Sequence, residues 1–184
     1  MNAVYLLAID NVAPQAMNWV EATLAEWCPW PIRRLPFLPF PPDSYDPSRG
    51  QYKSVEIIKA VARSAPPDAE RILGVTEGDL AIPTLTFVFG QAQLDGKVAV
   101  VSLARLRQEF YGLPGDDNVF RERMVKEVLH ELGHTFGLTH CVQSTCVMSL
   151  ATHIGLVDSK EQRYCARCGE HLVRKFSAAN GESK

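Results

Sequence analysis

His130-Glu131-Leu132-Gly133-His134-Thr135-Phe136-Gly137-Leu138-Thr139-His140 is the stretch on which the reading of this chain turns. Two histidines four residues apart on a helix lie one above the other on the same face. Their imidazoles can take two corners of one metal ion. Gly137, one turn later, can leave the helix with positive φ at little steric cost. The bend carries His140 back to a third corner. Three neutral histidines leave the fourth zinc position open, as a catalytic site requires. Glu131 is turned about 100° around the helix from His130. It is poorly placed as a fourth ligand and well placed to touch a metal-bound water.

A bare H-E-x-x-H fixes three residues and arises by accident. Here five positions are fixed. At roughly one in twenty per position, chance gives such a match on the order of once in ten thousand chains of this length. A buried helix whose histidines bond to backbone carbonyls has no need of Gly137 and His140 at these offsets.

The neighbouring residues narrow the reading. Cys141 follows His140 at once, then come Cys146-Val147-Met148 and Cys165-Ala166-Arg167-Cys168. The long histidine motif resembles that of the metzincin zinc peptidases. The order of third histidine, adjoining cysteine, Cys-x-Met and C-x-x-C is similar to the archaemetzincin family. Arg49-Gly50-Gln51-Tyr52, Phe87-Val88-Phe89-Gly90, and Val98-Ala99-Val100-Val101-Ser102 with Arg105-Leu106 extend the likeness over most of the chain. The resemblance implies a compact α/β zinc peptidase with a second, all-cysteine zinc site. It also implies that Met148 is the methionine of the turn beneath the zinc, a soft filler under the histidines. Arg49, Gln51 and Tyr52 matter by resemblance, with no role derivable from the residues.

Cys141-x4-Cys146 and Cys165-x2-Cys168 are two closely spaced pairs. Four thiolates satisfy tetrahedral zinc and close the site, which makes it structural. Disulfides or unrelated buried thiols are the alternatives. A nucleic-acid zinc module is disfavoured: only Arg163, Arg167, Arg174 and Lys175 lie nearby, with no aromatic platform. The fifth cysteine, Cys28, reads as a small buried hydrophobe.

With 184 residues the chain is long enough for one domain with a sizeable core. The expectation is a single domain: a sheet-containing part over residues 1–118, an active-site helix and zinc-bound part over 119–176, and a disordered end over 177–184. The net charge of −2 gives no electrostatic case for nucleic acid or an anionic membrane. No apolar run approaches the ~20 residues of a membrane helix, and the start lacks the pattern of a signal peptide. A cytoplasmic monomer with two Zn²⁺ per chain follows as the expectation.

Taken in order, residues 3–9 read as a buried strand and residues 14–27 as a helix opened by Pro14. Residues 32–35 suggest a second strand before a proline-rich surface loop that runs to residue 47. Ser54 is positioned to cap a helix over 55–64. Residues 71–76 form a strand. Residues 84–92 and 97–102 form two more, joined by a hairpin turn at Leu94-Asp95-Gly96. The fold class is therefore α/β (α+β), a mixed twisted sheet with an antiparallel edge strand. Asp117 or Asn118 caps the long helix over 119–136. Its stripe of Phe120, Met124, Val128 and Leu132 is widened by Val125 and Leu129. Asp158 caps a short helix ending near Tyr164, and a last helix spans 169–176. His153 reads as a surface histidine.

The functional expectation is a zinc metallopeptidase. His130, His134 and His140 are its ligands, Glu131 is its general base, and Tyr164 is an unsupported candidate for an oxyanion donor. The rival from another class is a zinc-stabilised peptide-binding protein without turnover, for which Glu131 is superfluous. Substrate is expected to add as a strand along residues 84–92, with Phe87, Val88, Phe89 and Gly90 in contact. Gly90 removes a side chain where another backbone must approach.

Overall fold

Ala3–Ile9 form β1, and burial on both faces follows from its unbroken apolar run. The computed structural model describes residues 2–179. After β1 come α1 (Pro14–Trp27), β2 (Ile32–Arg34), β3 (Tyr45–Asp46), β4 (Gln51–Lys53), α2 (Ser54–Arg63), β5 (Ala69–Thr76) and β6 (Leu80–Ile82). They are followed by β7 (Leu85–Val88), β8 (Gly90–Ala92), β9 (Val98–Ser102), α3 (Asp117–Thr135), α4 (Ile154–Ser159) and α5 (Ala166–Ala179).

The larger sheet has the order β2-β1-β5-β9-β8, parallel throughout except for antiparallel β8 at its edge. Strand alternation divides the core in two. Val4, Leu6, Leu73, Val75, Ala99 and Val101 face α1 and α3. Tyr5, Leu7, Ile9, Ile72, Val98 and Val100 face α2. The stripe on α3 is buried as its periodicity requires: Phe120, Met124, Val128, Leu129 and Leu132 all join the first of these clusters.

The smaller sheet, β3-β4-β6-β7, has no counterpart in the expectations from sequence. Its strands have two to four residues, too few for a period to register. The expected strand over 84–92 is two strands in two sheets: β7 pairs with β6 through Val88–Leu80, and β8 pairs with β9 through Gly90–Val101. The proline-rich stretch is more ordered than expected, since it holds β3 and a parallel bridge from Leu38 to Ile9.

The helix caps also differ. Ser54 lies inside α2, where its hydroxyl donates to Gln91 Oε1 and accepts no capping bond from its own helix. Asp116 caps α3, accepting from Asn118 N (2.9 Å) and Val119 N (3.1 Å). Asp158 lies within α4 because Arg123 takes its carboxylate in a fork at 2.7 and 2.8 Å. The last helix starts at Ala166 and runs through Ser177 to Ala179, so the expected disorder is wrong for these residues. Residues 180–184 lie outside the described residues.

Cys28 is buried at the end of α1, and burial raises its thiol to about 12 against the opposing Arg71 charge. This matches a packed hydrophobe. Phe136, fully buried at the end of α3, stacks on Trp30 (5.7 Å, 7° between planes), meets Phe176 edge-on at 4.9 Å and carries Arg71 over its ring at 3.9 Å. Phe136→Ala is expected to cost about 3–5 kcal/mol of stability, read as a lowered melting temperature in calorimetry.

Candidate active site and metal centres

The C-terminal end of α3 is shaped by a glycine. Gly137 has φ of +87°, and it donates to His134 O (2.9 Å) while Leu138 N donates to Gly133 O (3.1 Å). These two bonds make a Schellman motif, which turns the chain sharply. The turn is buttressed by the β8–β9 hairpin, whose Asp95 N donates to His134 O at 2.9 Å. Lys175 holds the Asp95 carboxylate at 2.7 Å. His140 is thereby returned to the face that bears His130 and His134.

One ligand atom from each of His130, His134 and His140 lies within 4.8 Å of the others. The tautomers follow from the neighbours. His130 Nδ1 lies 2.8 Å from Val147 O, and His134 Nδ1 lies 2.7 Å from Leu138 O. A carbonyl only accepts, so both Nδ1 atoms carry the hydrogen and both Nε2 atoms present lone pairs. Those Nε2 atoms are 3.1 Å apart. Two lone pairs at that distance repel unless a cation lies between them. Two ligands at ~2.05 Å from tetrahedral zinc sit ~3.3 Å apart, so the donor set fits zinc. Burial holds all three imidazoles below their usual range, and the Lys160 charge adds to this. Neutral rings are what a metal needs.

Glu131 is buried one residue after His130, against β8. A Cβ on Gly90 would lie 2.6 Å from Glu131 Cγ and 2.6 Å from the Val100 carbonyl oxygen, so the carboxylate side chain and the β9 backbone together leave room only for glycine. Burial, then the Glu127 carboxylate, push Glu131 well above the usual range, against the pull of Lys160. Glu127 and Lys160 form an ion pair at 3.2 Å with side chains 3% and 0% exposed. Both line the same cavity as the histidines. Sequence reasoning missed this pair. Glu127 lies one turn before Glu131, on the same side of α3, a signal legible in hindsight, whereas Lys160 carries none.

The cavity has a volume of about 530 Å³, and its walls include Phe87, Val88, Phe89 and Gly90 together with His130, Glu131, His134 and His140. Ser102 N donates to Phe89 O and Gln93 N to Val98 O, so Phe89–Ser102 and Gln93–Val98 are hydrogen-bonded pairs. Antiparallel alternation then makes Gly90–Val101 and Ala92–Ala99 the non-bonded pairs. The N–H and C=O groups of Gly90 and Ala92 therefore point away from β9, along the free edge of the sheet.

Met148 lies beneath α3, its Sδ 2.5 Å from where a Gly133 Cβ would be. Cys141, Cys146, Cys165 and Cys168 gather with their sulfurs within 4.8 Å of one another. Cys141 Sγ and Cys165 Sγ are 3.8 Å apart. That excludes a bond between them and equals the ~3.8 Å edge of a tetrahedron with ~2.3 Å Zn–S distances. The Cys168 backbone N–H chiefly holds Cys165 down to about 7, and Cys165 N donates to Cys146 Sγ at 3.3 Å. Tyr164 is no oxyanion donor: its hydroxyl donates to Leu129 O at 2.7 Å under the helix. His153 is exposed at the start of α4, outside the histidine group.

A model of peptidase family M54 matches residues 68–174. The archaemetzincin of Methanocaldococcus jannaschii is 48% identical over 138 residues, 75% of each chain. The chain belongs to peptidase family M54, the archaemetzincins. The archaemetzincin of Methanopyrus kandleri is 45% identical over 136 residues, 74% of each chain. Its crystal structure superposes with a TM-score of 0.80 at 36% identity, covering 96% of both chains. The crystal structure of the Archaeoglobus fulgidus archaemetzincin complexed with malonate gives a TM-score of 0.80 at 32% identity, covering 92% of this chain and 99% of that one. This M54 peptidase is a zinc metallopeptidase with the mixed α/β fold of its relatives. Among the described residues no helix is long and apolar enough to cross a membrane.

The contact between Glu131 and Gly90 makes a direct prediction. A methyl group there has to displace the Glu131 side chain and press on the Val100 carbonyl as well, and a carboxylate shift of roughly 1 Å costs about 10²-fold in turnover. Gly90→Ala should show that loss in peptide hydrolysis, and its crystal structure should show Glu131 displaced. An unmoved Glu131 in an active variant contradicts the assignment.

Proposed function

We propose that this chain hydrolyses peptide bonds, with His130, His134 and His140 holding a catalytic zinc and Glu131 acting as general base. The observation that carries the reading is the convergence of three ring nitrogens and one carboxylate on a cavity bordered by the open edge of β8. Zinc in that position supplies Lewis acidity, lowering the pKa of water toward ~7 and polarising a carbonyl oxygen. Glu131 takes a proton from the attacking water as it adds to the scissile carbonyl, and returns it to the leaving amine. The carbonyls of Val147 and Leu138 keep His130 and His134 in the ligating tautomer. The Glu127–Lys160 pair closes the cavity behind Glu131 and keeps bulk water from that side.

The peptide adds to β8 as a further strand, bonded to the main chain of Gly90 and Ala92, with Phe87, Val88 and Phe89 forming an apolar wall. Main-chain recognition accepts many sequences, so the substrate class is peptide or protein, and nucleic acid has no place in it. The four cysteines hold a second, structural zinc, giving two per chain. Residues 1–184 act as one monomeric peptidase domain. Five unpaired cysteines suit the reducing cytoplasm.

Glu131→Gln should retain zinc and the fold while turnover falls by at least ~10²-fold. Unchanged cleavage by that variant would remove Glu131 from the mechanism. Metal analysis of the reduced protein should find two zinc ions. A chelator should strip the three-histidine ion first, because its site has an open position. A single zinc, or loss of the thiolate-bound ion first, contradicts the two-site assignment.

A further inference from the structure

Arg49 and Gln51 come from a stretch that the zinc chemistry does not use. Arg49 is exposed, yet all three nitrogens of its guanidinium are engaged, in four hydrogen bonds. Nη1 donates to Ile82 O (3.2 Å), Nη2 to Leu85 O (2.7 Å) and Thr86 O (2.8 Å), and Nε to Gln51 Oε1 (2.9 Å). Gln51 Nε2 donates in turn to Thr86 O (2.9 Å) and Asp79 Oδ2 (2.8 Å). Asp79 also takes Arg105 in a fork at 2.7 and 2.8 Å, and the Arg105 guanidinium lies 4.0 Å from the centre of the Phe87 ring.

The hairpin between β6 and β7 is thus held from behind by side chains. Its residues Ile82, Leu85, Thr86 and Phe87 line the same cavity as the histidines. β7 is the terminal strand of the smaller sheet, as β8 is of the larger, and the chain passes from one to the other through Phe89 alone. Two short strands in different sheets have no shared ladder to keep them in line. The Arg49–Gln51 clamp supplies that alignment on the β7 side. The guanidinium meets three carbonyls and the Gln51 amide oxygen from three separate nitrogens, whereas a lysine ammonium has three donors on one nitrogen, so lysine is no substitute.

We propose that Arg49 and Gln51 are positioning residues that build a remote binding stretch for the peptide along β7. This rests on the reading that substrate lies along the edge at β8. Leu85 is five residues from Gly90, about 17 Å along an extended chain. A peptide reaches it only if it extends roughly five residues from the scissile bond in that direction. The clamp therefore favours long, extended peptides over short ones and acts on binding, leaving the chemical step alone.

The test is a nested set of peptides built around one bond that the zinc-loaded wild-type protein cuts, lengthened from four to ten residues on either side in turn. Lengthening toward β7 should lower KM about tenfold. In Arg49→Ala the KM of the long peptide should rise about tenfold to that of the short one, with kcat within twofold and short-peptide kinetics unchanged. Arg49→Lys should recover little of the gain. If the wild type gains nothing from length, the edge-strand reading fails and takes this inference with it. If the wild type gains but Arg49→Ala keeps the gain, the clamp inference alone is overturned. An equal kcat loss on short and long peptides also overturns it, since the residue would then support the fold in general.

Discussion

The active centre depends on how closely α3 approaches the edge of the larger sheet. At Gly90 the approach is too close for a Cβ, because the Glu131 side chain and the Val100 carbonyl fill that place. At Gly133 the same helix admits Met148 from below, again with no room for a Cβ. Two glycines, one on the strand and one on the helix, thus set the height of α3. The buried stripe from Phe120 to Leu132 supplies the adhesion. Burial of such side chains is non-directional, but the two glycine contacts have fixed positions. They turn adhesion into registry, so that the carboxylate faces the open edge of β8.

A second set of constraints fixes the segment beyond the helix. The Schellman turn at Gly137 sends the chain back, and the Asp95 amide ties that turn to the hairpin. Val147 and Leu138 lend their carbonyls to the two helix histidines. Val147 lies between Cys146 and Met148, so the cysteine cluster, the methionine floor and the orientation of His130 share one short segment. Cys141 adjoins His140 directly and donates its amide to Met148 O at 2.9 Å. The cysteine cluster is therefore tied to His140 through covalent neighbours, and loss of its geometry would reach the cavity without any long-range relay. Sites of this kind work only when such supporting groups are locked in place.

Much of this was legible in the residues. Histidines at four-residue spacing must share a helix face, and a glycine one turn later must bend the chain. The apolar run at β1 announced a buried strand, and those at β5 and β9 announced strands whose parallel pairing the structure supplies. The features that escaped notice had no periodic signature. The smaller sheet is made of strands too short to alternate, and its cohesion comes from the Arg49, Gln51 and Asp79 side chains across distant segments. The break of the edge strand at Phe89 arises because residues 88 and 90 find partners in different sheets. Asp116 took the cap expected of its neighbours, and Asp158 gave up its own because a tertiary partner, Arg123, holds its carboxylate. Lys160 became an active-site neighbour only through the path of the chain after Met148.

On the proposed mechanism, Glu131, the three histidines and the open edge of β8 act as one surface. The most direct measurement of this is a crystal structure of zinc-loaded Glu131→Gln with an uncut ten-residue peptide. The expected result is a peptide main chain hydrogen-bonded to Gly90 and Ala92 and running on past Phe87. One of its carbonyls should be directed at the three histidines, with the substituted amide side chain at position 131 beside it. A peptide bound elsewhere, or one paired to neither Gly90 nor Ala92, would contradict it.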